Sequence, residues 1–466
     1  MRLERLFRSI LEPAGTSGAS GIELSPTSLL PLVIGLAIVA VLAILGKVPV
    51  RYNVRNLTVR WRTTLMTSLA FTLVIGLNTV MLAFVNGMYK LTQGSGQPGN
   101  VMVLSEGATD EAFSNLGFSD IGDIELQPGV LRDENDQPLV SRETYVVVNQ
   151  PVRIRAAGRP RGRFTQVRGV DDAAMSAFVH GLDLYEGGQW ITREGVRAAG
   201  EGQEAIQAVI GEGIARELGR DRPPEELAKA KNPERLEVGE TFPLGGRTWL
   251  VVGVIKYSGS TFDSEIWAKR DIVGKMFGKP SYTSLVLRTA DAAEATKLEY
   301  FFNNDFAKAS VQAYRETEYF AALAETTKQF LFSIIFVTLV MAVGGIFGVM
   351  NTMFAAVAQR AKDIGVLRIL GFSRLDVQAS FLLESLVIAL AGGALGCALG
   401  CFAHGWQSAS ILSRNEPGSS KFVVLELIVS GDIIAAGLAV ALVIGLIGGI
   451  IPSIRAMLVR PLESLR

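Results

Sequence analysis

Histidine is the side chain that most readily moves protons or holds metals near neutral pH. This sequence of 466 residues has two, His180 and His404, far apart in the chain. The two cysteines, Cys397 and Cys401, lie together in an apolar run, which is neither a zinc-binding spacing nor a disulfide framework. No G-x-x-x-x-G-K-[ST] occurs, and GEGIARELG (Gly211–Gly219) lacks the lysine and the spacing that cradle a nucleotide's phosphates. G-x-S-x-G and H-E-x-x-H are also absent. DENDQ (Asp133–Gln137) has the carboxylates for calcium but reads as a solvated turn. These residues point away from catalysis and from any metal or cofactor bound by this chain.

What remains is VAQRAKDIGVLRILGFSRLDV (Val357–Val377), a charged stretch between two long apolar segments. Ala361, Ile364, Leu367 and Leu370 recur every three residues and predict a short amphipathic helix. Gly365 and Gly371 limit or bend it, and Ser373 can cap the helix that follows. Read by composition alone, the segment is an interfacial turn held by snorkelling arginines, or a helix lying across the ends of two membrane spans.

The elements around it are those of a membrane protein. Hydrophobic residues make up 49% of the chain and charged residues 19%, below the roughly 25% usual for soluble domains. Five runs are long and apolar enough to predict spans: Leu29–Gly46, Thr64–Phe84, Phe330–Met350, Ser380–Phe402 and Ile433–Ile451. The first is expected to be an uncleaved span, because no small-residue cleavage site follows it. Lys47, Arg51, Arg55, Arg60 and Arg62 between the first two runs, and Arg360, Lys362, Arg368 and Arg374 between the later two, place those loops in the cytoplasm. The N-terminus then lies outside; alternatively, MRLERLFRSILEP (Met1–Pro13) is an amphipathic segment lying on the inner surface and the first run is re-entrant. A net charge of zero gives no signal for nucleic acid.

Between the second and third spans lie about 240 residues, enough for one or two globular subdomains. Thr144–Gly158 and Tyr282–Thr289 read as strands, Thr241–Ile255 as a hairpin around Gly245–Gly246, and Asp291–Phe306 as a helix capped by Asp291. The expected fold is an α-helical membrane domain with a large mixed α/β extracytoplasmic domain. The middles of the spans hold no Asp, Glu, Lys or Arg, which disfavours an ion-coupled carrier. Glycine recurs there every four residues, at Gly344 and Gly348, at Gly392, Gly396 and Gly400, and at Gly445 and Gly449. Such spacing lets helices pack closely, either between subunits or within one chain.

NTMFAAVAQRAKDIGVLRILGFSRLDVQASFLLESLVIALAGGALG (Asn351–Gly396) resembles the permease region of the MacB/FtsX superfamily of ABC transporters. Asn351, Met353, Val357, Arg360, Ile364, Gly365, Leu370, Gly371, Phe381, Leu382, Glu384, Gly392 and Gly393 match the family pattern; Gln359 and Asp363 stand where glutamate is usual. The closing GLIGGIIPSIRAMLVRPLESLR (Gly445–Arg466), the early Arg51–Leu77 and, more loosely, Gln166–Trp190 resemble other parts of the family. The resemblance covers about residues 51–466 and implies four spans, with the run at 29–46 as an extra N-terminal span. Its domain plan is an N-terminal segment (1–28), the extra span (29–46), an amphipathic cytoplasmic segment and span (47–86), a MacB-like periplasmic core domain (87–327) and an FtsX-like permease domain (328–466).

By the same resemblance, Arg360, Asp363, Ile364, Gly365, Arg368 and Gly371 are implied to dock on a separate ATPase subunit, which binds the ATP and magnesium. Glu384 is a candidate for a helix-end ion pair. A second permease copy or a paralogue is the implied membrane partner, with a periplasmic adaptor as an optional one and membrane lipid around both. The implied function is mechanotransmission, in which ATP hydrolysis moves the outer domain to export or extract a substrate at a bacterial inner membrane. A lipoprotein-releasing permease and a signalling subunit controlling a cell-wall enzyme are the alternatives within the family. A membrane-anchored hydrolase and a passive scaffold are the alternatives outside it.

Overall fold

Uncharged apolar runs in a bilayer can satisfy their backbone polar groups only within helices, and the structure follows that constraint. The computed structural model describes residues 26–45, 50–59, 61–152, 162–198, 204–323, 325–413 and 420–458. Expectations placed on residues before 26, on Lys47 and Arg60, and on the tail after 458 lie outside them.

The chain begins with α1 (Leu30–Leu45), α2 (Val50–Val59) and α3 (Trp61–Gln93). Then come β1 (Asn100–Ser105), α4 (Phe118–Glu125), β2 (Val140–Pro151), β3 (Gly162–Val170), α5 (Ala173–His180), β4 (Val196–Ala198), β5 (Glu204–Gly211) and α6 (Glu212–Arg220). β6 (Thr241–Leu244), β7 (Arg247–Ile255), β8 (Glu265–Lys269), α7 (Arg270–Phe277), β9 (Ser284–Arg288), α8 (Ala292–Asn304), β10 (Val311–Arg315) and α9 (Glu316–Leu323) follow. The chain continues as α10 (Glu325–Gln359), α11 (Ala361–Ile369), α12 (Arg374–Cys401), the hairpin β11 (Gln407–Ser413) and β12 (Ser420–Glu426), and α13 (Gly431–Met457). Two compact units result: Met1–Gly87 with Gln329–Trp406 and Glu426–Arg466, and Met88–Lys328 with Gln407–Leu425.

In the first unit, among the described residues, four helices are long and apolar enough to cross a membrane: Trp61–Leu91, Gln329–Gln359, Arg374–Cys401 and Gly431–Met457. The run predicted as an extra span forms α1, whose 16 residues reach about 24 Å, short of a hydrocarbon core of about 30 Å. Leu32, Ile38, Val39 and Leu42 of α1 pack on Leu386, Leu390 and Leu442.

The glycine spacing resolves into two kinds of site. A Cβ on Gly392 would meet Phe71 at 2.6 Å, one on Gly396 would meet Thr72 O at 2.8 Å, and one on Gly400 would meet Thr79. These three glycines therefore seat α12 against α3, and Thr72 Oγ1 donates to Gly392 O across the joint. Gly445 and Gly449 fit against Ala389 and Ser385, seating α13 on another side of α12, where Ser385 Oγ donates to Gly445 O. Gly344 and Gly348 on α10 have no atom within 4 Å of the Cβ position. α10 is the least covered of the four long helices, with Phe332 77% exposed and Phe336, Leu339 and Phe347 also exposed.

In the second unit, a ten-stranded sheet runs β10-β1-β9-β2-β3-β8-β5-β7-β6, with β4 paired to β5. Only β3–β8 and β5–β7 are parallel among the paired strands. Two apolar cores serve it. One gathers Val101, Leu116, Ile124, Val140, Leu285, Leu298 and Phe302; the other gathers Val146, Val167, Ile210, Ile214, Trp249, Ile266 and Val273. Strand β2 contributes to both. Gly245 and Gly246 take positive φ to turn β6 into β7, and Asp291 accepts from Ala293 N and Glu294 N to start α8. DENDQ is a turn in which Asp133 Oδ1 accepts from Asn135 N and Gln137 N, with Asp136 at φ 60°.

Candidate functional site

The charged stretch between α10 and α12 folds as a nine-residue helix set between two tight corners. At Arg360 the backbone leaves helical geometry, with φ −107° and ψ 15°, which separates α10 from α11. At the other end Gly371 takes φ +96°. Phe372 N donates to Leu367 O at 3.1 Å and Gly371 N to Arg368 O at 3.3 Å, the paired bonds of a Schellman stop, which needs a residue without a Cβ at its left-handed position. Arg368 Nη1 donates to Phe372 O at 2.9 Å and closes the same corner. Ser373 then opens α12 with a capping box: Asp376 N donates to Ser373 Oγ, and Ser373 N to Asp376 Oδ2.

One side of α11 is built into the bundle. Ile364 packs with Val357, Val377, Phe381 and Ala456, and Gly365 is buried beside it. Arg360 Nη1 donates to Glu384 Oε1 at 2.7 Å; the two side chains are 8% and 3% exposed, and the guanidinium lies 5.6 Å from the Phe381 ring centroid. Arg360 therefore faces inward and serves as a joint between the start of α11 and α12. Glu384 is its partner.

The other side is open. Lys362, Asp363, Gly371 and Arg374 are exposed, and so are Val366, Ile369 (59%), Leu370 (70%) and Leu375 (70%). The three-residue apolar spacing predicted Leu370 on the buried face; the structure buries only Ile364 of that set, leaves Ala361 and Leu367 half-buried, and turns Leu370 outward. The reason is the corner at Gly371, which ends the helix before its periodicity can carry Leu370 back to the bundle. The residues singled out from sequence thus divide. Arg360, Ile364 and Gly365 hold α11 in place, Arg368 and Gly371 shape its exit, and Asp363 alone among the charged ones stands free at the surface. Val366, Ile369, Leu370, Leu375 and Lys362 were not among the residues expected to dock a partner. For Val366 and Ile369 the signal is present in the sequence, since a nine-residue helix with apolar residues on both sides has more than it can bury against one neighbour.

Taken together, the arrangement can bind a protein surface. The short helix, pinned by a buried ion pair and a Schellman stop, leaves Val366 and Ile369 exposed; Leu370 at its C-cap and Leu375 in the first turn of α12 are exposed as well, with Lys362, Asp363 and Arg374 among them. Exposed apolar patches bordered by polar groups mark protein contacts.

The sequence profile described as FtsX-like permease C-terminal matches residues 335–460, and that described as MacB-like periplasmic core domain matches residues 64–299. An uncharacterized ABC transporter permease of Methanocaldococcus jannaschii is 25% identical over 61% of this chain and 66% of that protein. A macrolide export ATP-binding/permease protein MacB of Agrobacterium fabrum is 29% identical over 77% of this chain and 52% of that protein. The uncharacterized ABC transporter permease YknZ of Bacillus subtilis is 28% identical over 49% of this chain and 58% of its own length. The chain thus spans about half to two-thirds of the length of these relatives.

Proposed function

Since the chain belongs to the MacB/FtsX-like family of ABC transporter permeases, we propose that it is the membrane subunit of a MacB-type transporter, coupling ATP hydrolysis by a separate ATPase to movement of its outer domain. The observation that carries this reading is the run of exposed apolar side chains, Val366 and Ile369 on α11, Leu370 at its C-cap and Leu375 at the start of α12, around a helix joined to two spans. A partner seated there would push on α10 and α12 together, because the Arg360–Glu384 pair and the two corners leave α11 no freedom to move alone. ATP and its magnesium belong, in this reading, to that partner.

The same reading places the protein in a bacterial inner membrane, with residues 88–328 on the extracytoplasmic side and the α11 corner in the cytoplasm. α1 is an added membrane-embedded helix packed on the outside of α12 and α13. A second permease copy meets the first along α10, where large apolar side chains are exposed and, among the described residues, Gly344 and Gly348 face open space.

The test is purification of the intact chain from native membranes in mild detergent beside a Leu370→Asp/Leu375→Asp variant. Both side chains are exposed, so the variant is expected to fold, and an unchanged melting temperature checks this. A P-loop protein with ATPase activity should accompany the parent chain and be lost with the variant. An equal yield of that ATPase with both would remove α11 as the docking site. No ATPase with either would remove the transporter reading and favour a passive scaffold.

A further inference from the structure

The outer domain contains a second assembly of charged side chains, and it is entirely buried. Arg168 on β3 donates from Nη1 to Glu111 Oε1 at 2.7 Å and to Glu143 Oε2, and from Nε and Nη2 to the two oxygens of Glu265 at 2.6 and 2.7 Å. His180, at the end of α5, lies between two more carboxylate oxygens: Nδ1 is 2.7 Å from Glu316 Oε1 and Nε2 is 2.7 Å from Glu143 Oε1. All six side chains have zero exposure. An ionised carboxylate can only accept, so both ring nitrogens must donate and the ring is an imidazolium. Burial alone would push its pKa down, but Glu316 and Glu143 outweigh burial and hold it up to about 10. Phe262 and Trp267 wall the ring, at 4.7 and 5.9 Å between centroids.

The members come from both sides of the point where β2 and β3 join the two apolar cores of the continuous sheet. Arg168 and Glu265 sit on β3 and β8, whose apolar side chains fill one core. Glu316 follows directly on β10, which belongs to the other core, and its second oxygen accepts from Gln97 N at 2.8 Å and Asn100 Nδ2 at 2.7 Å at the start of β1. Glu143 lies on β2, the strand that both cores share, and also accepts from Ser141 and Ser284. The network therefore joins both halves of the sheet to the two places where the chain enters and leaves the domain.

We propose that this network is a rigid joint, with His180 as the positioning residue through which a displacement of α9 reaches β2 and β3 and moves both halves of the outer domain as one body. The proposal deepens the mechanical reading above and rests on it. Apolar cores can slide by small repacking. A buried ion cannot leave its partner without standing unpaired in a medium that cannot solvate it, so the joint either holds or breaks. Two cations against four carboxylates also bind more tightly in geometry than any one pair, because each carboxylate of Glu143 and Glu316 answers to several donors.

The experiment uses the full chain in detergent, with Cys397 and Cys401 changed to alanine and spin labels on cysteines introduced at exposed positions. Ala293 on α8 and Lys275 on α7 report the distance between halves, while Lys275 and Arg220 on α6 report within one half. In His180→Gln the Ala293–Lys275 distance distribution should broaden or gain a second component, while Lys275–Arg220 stays as in the parent. A purely structural role would disturb both pairs or neither. An unchanged Ala293–Lys275 distribution in a folded variant overturns the proposal. Should His180→Gln fail to fold, Glu316→Gln keeps shape while removing one charge, and the same two outcomes decide. These distances are read without an ATPase, and the capture experiment does not touch these residues, so the joint and the transporter reading can fail separately.

Discussion

Arg360 and Glu384 show how much a single contact depends on which way a side chain faces. Removing one member of a buried ion pair leaves the other unpaired, at a cost of about 3–5 kcal/mol, whereas replacing both with apolar groups is close to neutral. Arg360→Met should therefore lower the melting temperature of the detergent-solubilised chain sharply, and Arg360→Met/Glu384→Met should recover most of the loss. A double variant as unstable as the sum of its singles would show that the two do not act as a pair. His180 gives a different signature. Its folded pKa of about 10 lies above the ordinary 6.5, so its contribution to stability is complete below about pH 6.5 and is lost as the pH rises through about 10. Glu143 has the opposite sign: burial would raise it, but Arg168 and His180 hold it well below the usual carboxylate range, so its contribution is present above about pH 4.5 and is lost as the pH falls. The groups facing the imidazolium are Glu143 and Glu316, with Arg168, Glu111, Glu265, Tyr145 and Tyr319 beyond them. Unfolding followed by tryptophan fluorescence should grow easier between about pH 6.5 and about pH 10, and His180→Gln should flatten that slope. An equal slope in parent and variant would assign the pH dependence to other groups.

At the scale of elements, α11 and the glycine joints carry the argument. Gly371 stands in the left-handed region at φ +96°, where a Cβ costs roughly 1–2 kcal/mol. Gly371→Ala should lower ATPase capture together with stability, because it disturbs the corner that sets the exposed patch, whereas Leu370→Asp/Leu375→Asp should lower capture alone. The same contrast separates the glycines. Gly396→Val drives a side chain into the backbone of α3 at Thr72 and Gly76, so it should destabilise the isolated chain. Gly344→Val meets open space and should leave the isolated chain's melting unchanged. The four-residue spacing was legible in the sequence for both sets, but it could not distinguish them. Spacing describes the surface of one helix and says nothing about which neighbour the fold brings to it.

For the whole molecule, the open face of α10 bears on assembly. With the native cysteines replaced, a cysteine at Gly348 should form disulfide-linked dimers in native membranes under mild oxidation, and one at exposed Leu399 on α12 serves as the comparison. Equal or absent cross-linking at both positions would place the contact between copies elsewhere. The chain forms two compact units, one built of spans and one around a sheet.

The sequence by itself determined what depends on local pattern. Apolar length marked five runs, of which four form the long helices and the first a shorter one; Gly245–Gly246 marked the hairpin, Asp291 and Ser373 the helix starts, and Gly371 the stop after α11. Each of these is decided by neighbours within a few residues, through backbone hydrogen bonding and the allowed φ of the residue concerned. Tertiary structure alone decided that Arg360 turns to Glu384, that Leu370 faces out, that Gly396 meets α3 while Gly344 meets nothing among the described residues, and that six charged residues scattered between Glu111 and Glu316 form one buried cluster. Those outcomes rest on distances between segments remote in sequence. A buried charge or a close helix approach is settled only when the partner arrives, and no periodicity in the chain records which partner that will be.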